Sequence, residues 1–233
     1  RLYGASSRPG LTQALQRGGA GSRSTLDRGW GGVLPQSDSD AASVECAYFI
    51  RPCLGERVSG DAAFVDRRGA TVFLALIDAL GHGPGAHQIA TRAQRHLREN
   101  WSDDLDQTVQ GLHRALVGTD GAAAGIATLD ITTRELRYVG VGNVVLRVLG
   151  ATGRRLDYSE GTLGAQIRAV RPEVTRLGRD ELALMFSDGM SDRVRNDGAA
   201  LLKHESAKVM VRRMVAEYGK SHDDASCIAL RCP

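Results

Sequence analysis

From residue 43 onward the apolar residues follow two rhythms. Short apolar runs, some continuous and some alternating with polar residues, predict strands at 43–50, 62–66, 71–77, 122–130, 135–140, 143–149, 173–177, 181–187 and 225–231. Three other stretches repeat at helical spacing: Ala86, Ile89, Ala90, Ala93 and Leu97; Leu105, Val109, Leu112 and Leu116; and Leu202, Val209, Met210 and Met214. Consecutive short strands without an intervening helix point to antiparallel sheets, and amphipathic helices gathered into pairs would cover them from outside. The chain is therefore expected to be α+β. Residues 1–42 break the pattern, being rich in Gly, Ser and Arg without sustained periodicity, so they read as a flexible leader or fragment end ahead of one domain at 43–233.

Several runs end on acids. The run Thr71–Ile77 delivers Asp78 into the turn Ala79-Leu80-Gly81-His82-Gly83, and Glu181–Ser187 delivers Asp188 into a turn at Gly189, with Asp192 one helical turn on. Asp223 and Asp224 precede the strand at 225–231, and Asp61 stands at the start of another. Ionised carboxylates that converge at the rim of a buried sheet repel one another unless cations hold them. An oxygen-only set without zinc-like Cys or His spacing favours magnesium or manganese over zinc or copper.

Ser59-Gly60-Asp61, Asp78-Ala79-Leu80-Gly81-His82-Gly83, Ser187-Asp188-Gly189 and Asp223-Asp224-Ala225-Ser226 occur in the order of the motifs of the PPM (PP2C-type) metal-dependent serine/threonine phosphatases, which the chain resembles over roughly residues 43 to 232. The Gly-His-Gly turn and the segment Val139-Gly140-Val141-Gly142-Asn143 are similar to those of the bacterial SpoIIE-like branch, and within it of RsbX-like phosphatases. The resemblance implies an αββα sandwich of two antiparallel sheets flanked by helix pairs. It implies hydrolysis of phosphoserine or phosphothreonine by a water that two divalent cations, Mn2+ or Mg2+, activate, with no covalent intermediate. Carried over by motif, Asp78 bridges the two ions and the main-chain carbonyl of Ala79 completes one shell. Asp188 and Asp223 bind the first ion and Asp61 contacts the second. Asp224, neighbour of a ligand, and Asp192 are subsidiary candidates, and His82 is the candidate proton donor.

The chain departs from the family at two positions. Ala79 replaces the usual Gly after the bridging aspartate, where a positive φ would strain an alanine by roughly 1 kcal/mol. Leu80 stands where animal relatives place a His. A catalytically silent module that binds a signalling partner is thus the rival reading, with Ala79 as its support; a small-phosphoester hydrolase with a deep pocket is a third. Taken singly, Asp-Gly and Asp-Asp pairs are ordinary turn formers. His82 could equally be a turn residue, and His87, His96, His113, His204 and His222 fall on predicted helices or their flanks, where solvated side chains are expected. Gly140, Gly142, Gly161 and Gly164 read as turn or close-packing positions.

Composition narrows the partners. A length of 233 residues with 42% hydrophobic content supports one core, and a net charge of +3 without a lysine-rich stripe argues against nucleic acid. The expected partner is a phosphorylated protein, which the RsbX-like resemblance narrows to a STAS-domain anti-sigma antagonist or stressosome protein. Cys46, Cys53, Cys227 and Cys232 show no metal-like spacing and read as reduced thiols. No apolar stretch is long enough to span a bilayer and no secretory pattern is present, so a cytoplasmic location is the expectation.

Overall fold

The computed structural model describes residues 29–34, 44–150, 153–179, 181–191, 193–194 and 205–232. In chain order its strands and helices begin with β1 (Trp30–Val33), β2 (Glu45–Arg51), β3 (Asp61–Arg68) and β4 (Thr71–Ala79), followed by α1 (Gly83–Asn100) and α2 (Leu105–Leu116). Then come β5 (Ala122–Asp130), β6 (Glu135–Val141), β7 (Val145–Leu149), β8 (Arg154–Leu156), β9 (Tyr158–Ser159), β10 (Gly161–Thr162) and β11 (Gln166–Ile167). The last elements are β12 (Glu173–Arg176), β13 (Leu182–Phe186), α3 (Ala207–Tyr218) and β14 (Ala225–Arg231).

The period of two along β4 builds the layers. Val72, Leu74 and Leu76 point into one core while Phe73, Ala75, Ile77 and Ala79 point into another, so the strand is apolar on both faces because it is covered on both. The first core lies between two sheets, ordered β1-β2-β14-β13-β7-β8 and β12-β6-β5-β4-β3, with β9 added in parallel to β6. The second core joins the latter sheet to α1 and α2, and a third joins the former sheet to α3. Helix, sheet, sheet and helix are the four layers of the expected αββα sandwich; among the described residues, α3 alone covers its side.

Helix ends follow from local sequence. Gly81 and Gly83, with φ of 85° and 74°, turn the chain out of β4, and Pro84 then sits in the first turn of α1. Asp104 caps α2 by accepting from the Gln107 amide at 3.0 Å, and Ser206 caps α3 by accepting from the Val209 amide.

Two expectations need correction. Trp30–Val33, inside the stretch read as a flexible leader, is an edge strand paired antiparallel with β2 from Trp30↔Ile50 to Val33↔Ala47. Trp-Gly-Gly-Val carries no alternation to announce it; main-chain pairing with β2 makes the strand. The other residues of 1–42 apart from 29 and 34 lie outside the described residues. On α3, Val209 is 51% exposed, while the expected Met210 and Met214 lie on the buried face together with Ala207, Val211, Val215 and Tyr218. Leu202 lies outside the described residues. No helix among the described residues is long and apolar enough to cross a membrane.

Candidate metal centre

The inter-sheet core changes character at one end. Ala63 and Val65 on β3 line it, and the same face of that strand ends at Asp61. On β4 the face of Val72, Leu74 and Leu76 ends at Asp78, which stands directly opposite Asp61 in the antiparallel register. From the other sheet, Ala183 and Met185 lead to Ser187, while Ile228 and Leu230 lead back to Ser226. Strand parity therefore closes an apolar core with a polar cap made from both sheets.

Asp61 is fully enclosed in that cap. Its Oδ2 accepts hydrogen bonds from Ser187 Oγ at 2.8 Å and Ser226 Oγ at 2.6 Å, both across the sandwich, while Oδ1 is buried without a partner. Burial, opposed by the two serine bonds and aided by Asp224 and Asp223, pushes its carboxyl up to about 7. Asp78 is half-buried, and burial followed by the fields of Asp61, Asp188 and Asp223 pushes it up to about 9. Like charges directly opposite on paired strands are destabilising, and here two more carboxylates add to the pair.

Asp188 and Asp223 reach the cap from loops. Asp188, exposed after β13, accepts from Asn143 Nδ2 at 2.7 Å, and its main-chain carbonyl accepts from Lys220 Nζ at 2.6 Å. Asp223 is half-buried, and burial and the neighbouring Asp188 raise its carboxyl above the ordinary range. Asp224, one residue on, does different work. Its Oδ1 accepts from the Cys53 amide and its Oδ2 from the Gly60 amide, each at 2.7 Å. Both oxygens are spent on fixing the loops before β3, which makes Asp224 a positioning residue and a poor ligand. Gly60 is required there, because a Cβ would stand 2.6 Å from that of Ala86.

The fold has counterparts among solved structures. A chain 28% identical, from a structure of the bacterial stressosome described as a modular system adapted to control secondary messenger signalling, superposes with a TM-score of 0.73 over 81% of this chain and 100% of that one. RsbX in complex with magnesium, 18% identical, superposes at 0.72 over 87% of this chain and all of its own. The phosphatase domain of SpoIIE from Bacillus subtilis, 16% identical, does so at 0.63 over 84% of this chain and 64% of its own. The model of the family described as Stage II sporulation protein E (SpoIIE) matches residues 68–233. The chain belongs to the SpoIIE family.

Phosphoserine phosphatase RsbX of Bacillus subtilis (strain 168) is 30% identical over 91 residues, which is 39% of this SpoIIE-family chain and 45% of that relative's length. The family model begins within β3, so Asp78, Asp188 and Asp223 fall inside the matched region and Asp61 falls before it.

Of the remaining candidates, Ala79 is a buried strand residue whose amide donates to the Gly60 carbonyl at 3.1 Å. Arg134 is the one described non-glycine residue with positive φ, so alanine at 79 carries no such strain. His82 ends the Gly-rich turn, where its Nδ1 donates to Glu56 Oε1 at 3.1 Å rather than to any of the four carboxylates. Asp192 lies outside the described residues.

Three contributors escaped the sequence reading. Asn143 orients Asp188. His87, read as solvated, donates from Nδ1 to the Ser59 carbonyl at 2.9 Å and steadies the loop that leads to Asp61. Arg51, 2% exposed at the end of β2, sends its guanidinium to the Pro52 and Lys220 carbonyls behind the carboxylates. Burial lowers its pKa, and Cys53, Asp224, Asp223 and Asp61 raise it in return. A charge closing the apolar run Tyr48-Phe49-Ile50 is the same signal that singled out the acids.

Among the described residues no three Asp, Glu, His or Cys side chains yet enclose a common point as a ligand set. The electrostatics nonetheless fit a hard divalent cation: three of the four carboxylates are held above their ordinary range by burial and one another, and Asp61 keeps a buried oxygen with no partner. Half-exposed carboxylates turn toward whatever donor is nearest, as Asp188 does toward Asn143, so their present directions do not oppose that fit.

The raised acids set a pH dependence. Asp61 and Asp78 bind protons more tightly folded, at about 7 and about 9, than in an unfolded chain. Their contribution to stability is complete below about pH 4 and is lost as pH rises through those values. With chelator present, the melting temperature should therefore fall between about pH 5 and about pH 9, and millimolar magnesium should flatten the fall. A melting temperature that climbs across that span in chelator would contradict the electrostatic account.

Proposed function

We propose that this SpoIIE-family chain is a metal-dependent protein phosphatase that hydrolyses phosphoserine or phosphothreonine on a partner protein. The observation that carries the reading is the four-carboxylate cap, in which Asp61 and Asp78 face each other at the mouth of the inter-sheet core. Two divalent ions, Mg2+ or Mn2+, would supply a water of lowered pKa and offset the charge of the phosphoryl group. Asp78 would hold both, Asp188 and Asp223 the first, and Asp61 with the Ala79 carbonyl the second.

The chain's own part is to keep those oxygens in place. Ser187 and Ser226 fix one oxygen of Asp61 and leave the other unpartnered. Asn143 orients Asp188, while Asp224 and His87 hold the loop before β3. Such positioning carries much of the catalysis when a water must attack phosphorus in line. The departing serine oxygen needs a proton, and His82, whose Nδ1–H is given to Glu56, would supply it from Nε2 only as the imidazolium. The silent-module alternative rested on Ala79, whose unstrained backbone withdraws its support.

The likeness to a stressosome chain and to RsbX supports a partner from the same signalling chemistry, a phosphorylated STAS-domain regulator. The test is phosphate release from such a phosphoserine protein by the purified chain with manganese or magnesium. Release that stops on chelation and returns with the ion is expected; ion binding with no release from any phosphoserine or phosphothreonine protein would overturn the proposal.

A further inference from the structure

Lys220 lies between α3 and β14, in a segment that none of the motifs includes. Its amide donates to the Gly189 carbonyl at 2.8 Å, and its own carbonyl accepts from the buried Arg51 guanidinium. A residue pinned at both main-chain groups cannot drift. From that anchor its ammonium reaches the main-chain carbonyl of Asp188 at 2.6 Å, in a solvent-exposed bond. The ammonium thus stands at Asp188, on the solvent side, with Arg51 on the buried side.

We propose that Lys220 binds the phosphoryl oxygens of the substrate, a phosphomonoester dianion approaching the carboxylate cap. The inference rests on the phosphatase reading and adds to it the residue that receives the phosphate. An ammonium offers three donors, and the Asp188 carbonyl uses one. A phosphate dianion entering from solvent passes the exposed Asp188, so a cation at that entrance favours its approach as well as supplying a charge-assisted hydrogen bond. Arg51 is not placed for this, since it is buried and donates to carbonyls on the far side. The competing role for Lys220 is structural, a clamp on the turn at Asp188.

Binding of inorganic phosphate to the magnesium-loaded full chain, measured by calorimetry, separates the two roles without requiring turnover. Lys220→Ala should weaken phosphate binding about tenfold with magnesium affinity unchanged, and Lys220→Arg should restore most of it. In turnover assays the same variants should shift KM for the phosphoprotein and leave kcat within about threefold. If Lys220→Ala binds phosphate as the parent does, or loses magnesium affinity and melting temperature in step, the lysine is a structural clamp and the proposal fails. Failure of the phosphatase reading looks different: the parent chain would bind phosphate with magnesium and release none from phosphoproteins.

Discussion

Asp78→Asn will abolish phosphate release while leaving the fold intact. The amide keeps the shape of the carboxyl and cannot serve as a charged ligand to two ions. Loss of a partner one shell removed from a metal already costs about 10–100-fold, so the bridging position should cost more than about 100-fold. Stability should move the other way. Burial, and after it Asp61 directly opposite with Asp188 and Asp223 nearby, pushes Asp78 up to about 9. Near neutral pH without metal it is protonated, and Asn is then a near-isosteric neutral replacement. The melting temperature in chelator should match the parent near pH 4, exceed it by a growing margin as pH rises, and hold the full excess above about pH 9, where the folded parent is ionised as well. Turnover retained by Asp78→Asn would remove Asp78 from the metal site and with it the carboxylate reading of the cap.

Gly189→Ala carries the largest expected loss of stability. The position reads in sequence as a turn glycine after Asp188, and its φ is not in the left-handed region. What forbids a side chain is proximity: a Cβ would stand 1.7 Å from the Asp224 carbonyl oxygen and 2.7 Å from its carbon. The loop that carries Asp188 crosses the loop that carries Asp223 with no room between the backbones. Both would have to move, at a cost of about 3 kcal/mol or more, or roughly 6–12 °C in a domain of this size. Calorimetric melting is the measurement. The displacement also separates the two carboxylates assigned to the first ion, so magnesium affinity should fall with stability. A loss below about 1 kcal/mol would mean that the crossing loops yield easily.

The longer strands were legible because burial on one or both faces leaves period-two or continuous apolar runs, and the acids because each stands at one end of such a run; β8 to β11, two or three residues each, are too short to show a period. Asp78, Asp61, Asp188 and Asp223 could therefore be named from the sequence and found together at one end of the sandwich. What stayed hidden depends on partners distant in sequence. Asp224 resembles Asp223 in every local respect, yet its oxygens meet amides of residues 53 and 60. Asn143 gains its role only when β7 brings it beside Asp188, and β1 exists only because β2 offers an edge. On α3 the expected Met210 and Met214 are buried and Val209 alone is not, because one residue is 100° of rotation and Val209 falls beyond the edge of the buried stripe.

Asp61 belongs to one sheet and the serines that hold it belong to the other. A motion that parts the two sheets at this end must break those bonds, and a rotation of the Asp61 carboxylate must do so as well. Breathing of the sandwich and rearrangement of the ligand oxygens are consequently one mechanical mode. An occupant of the cap that fixes the Asp61 carboxylate would therefore also hold the two sheets together at this end.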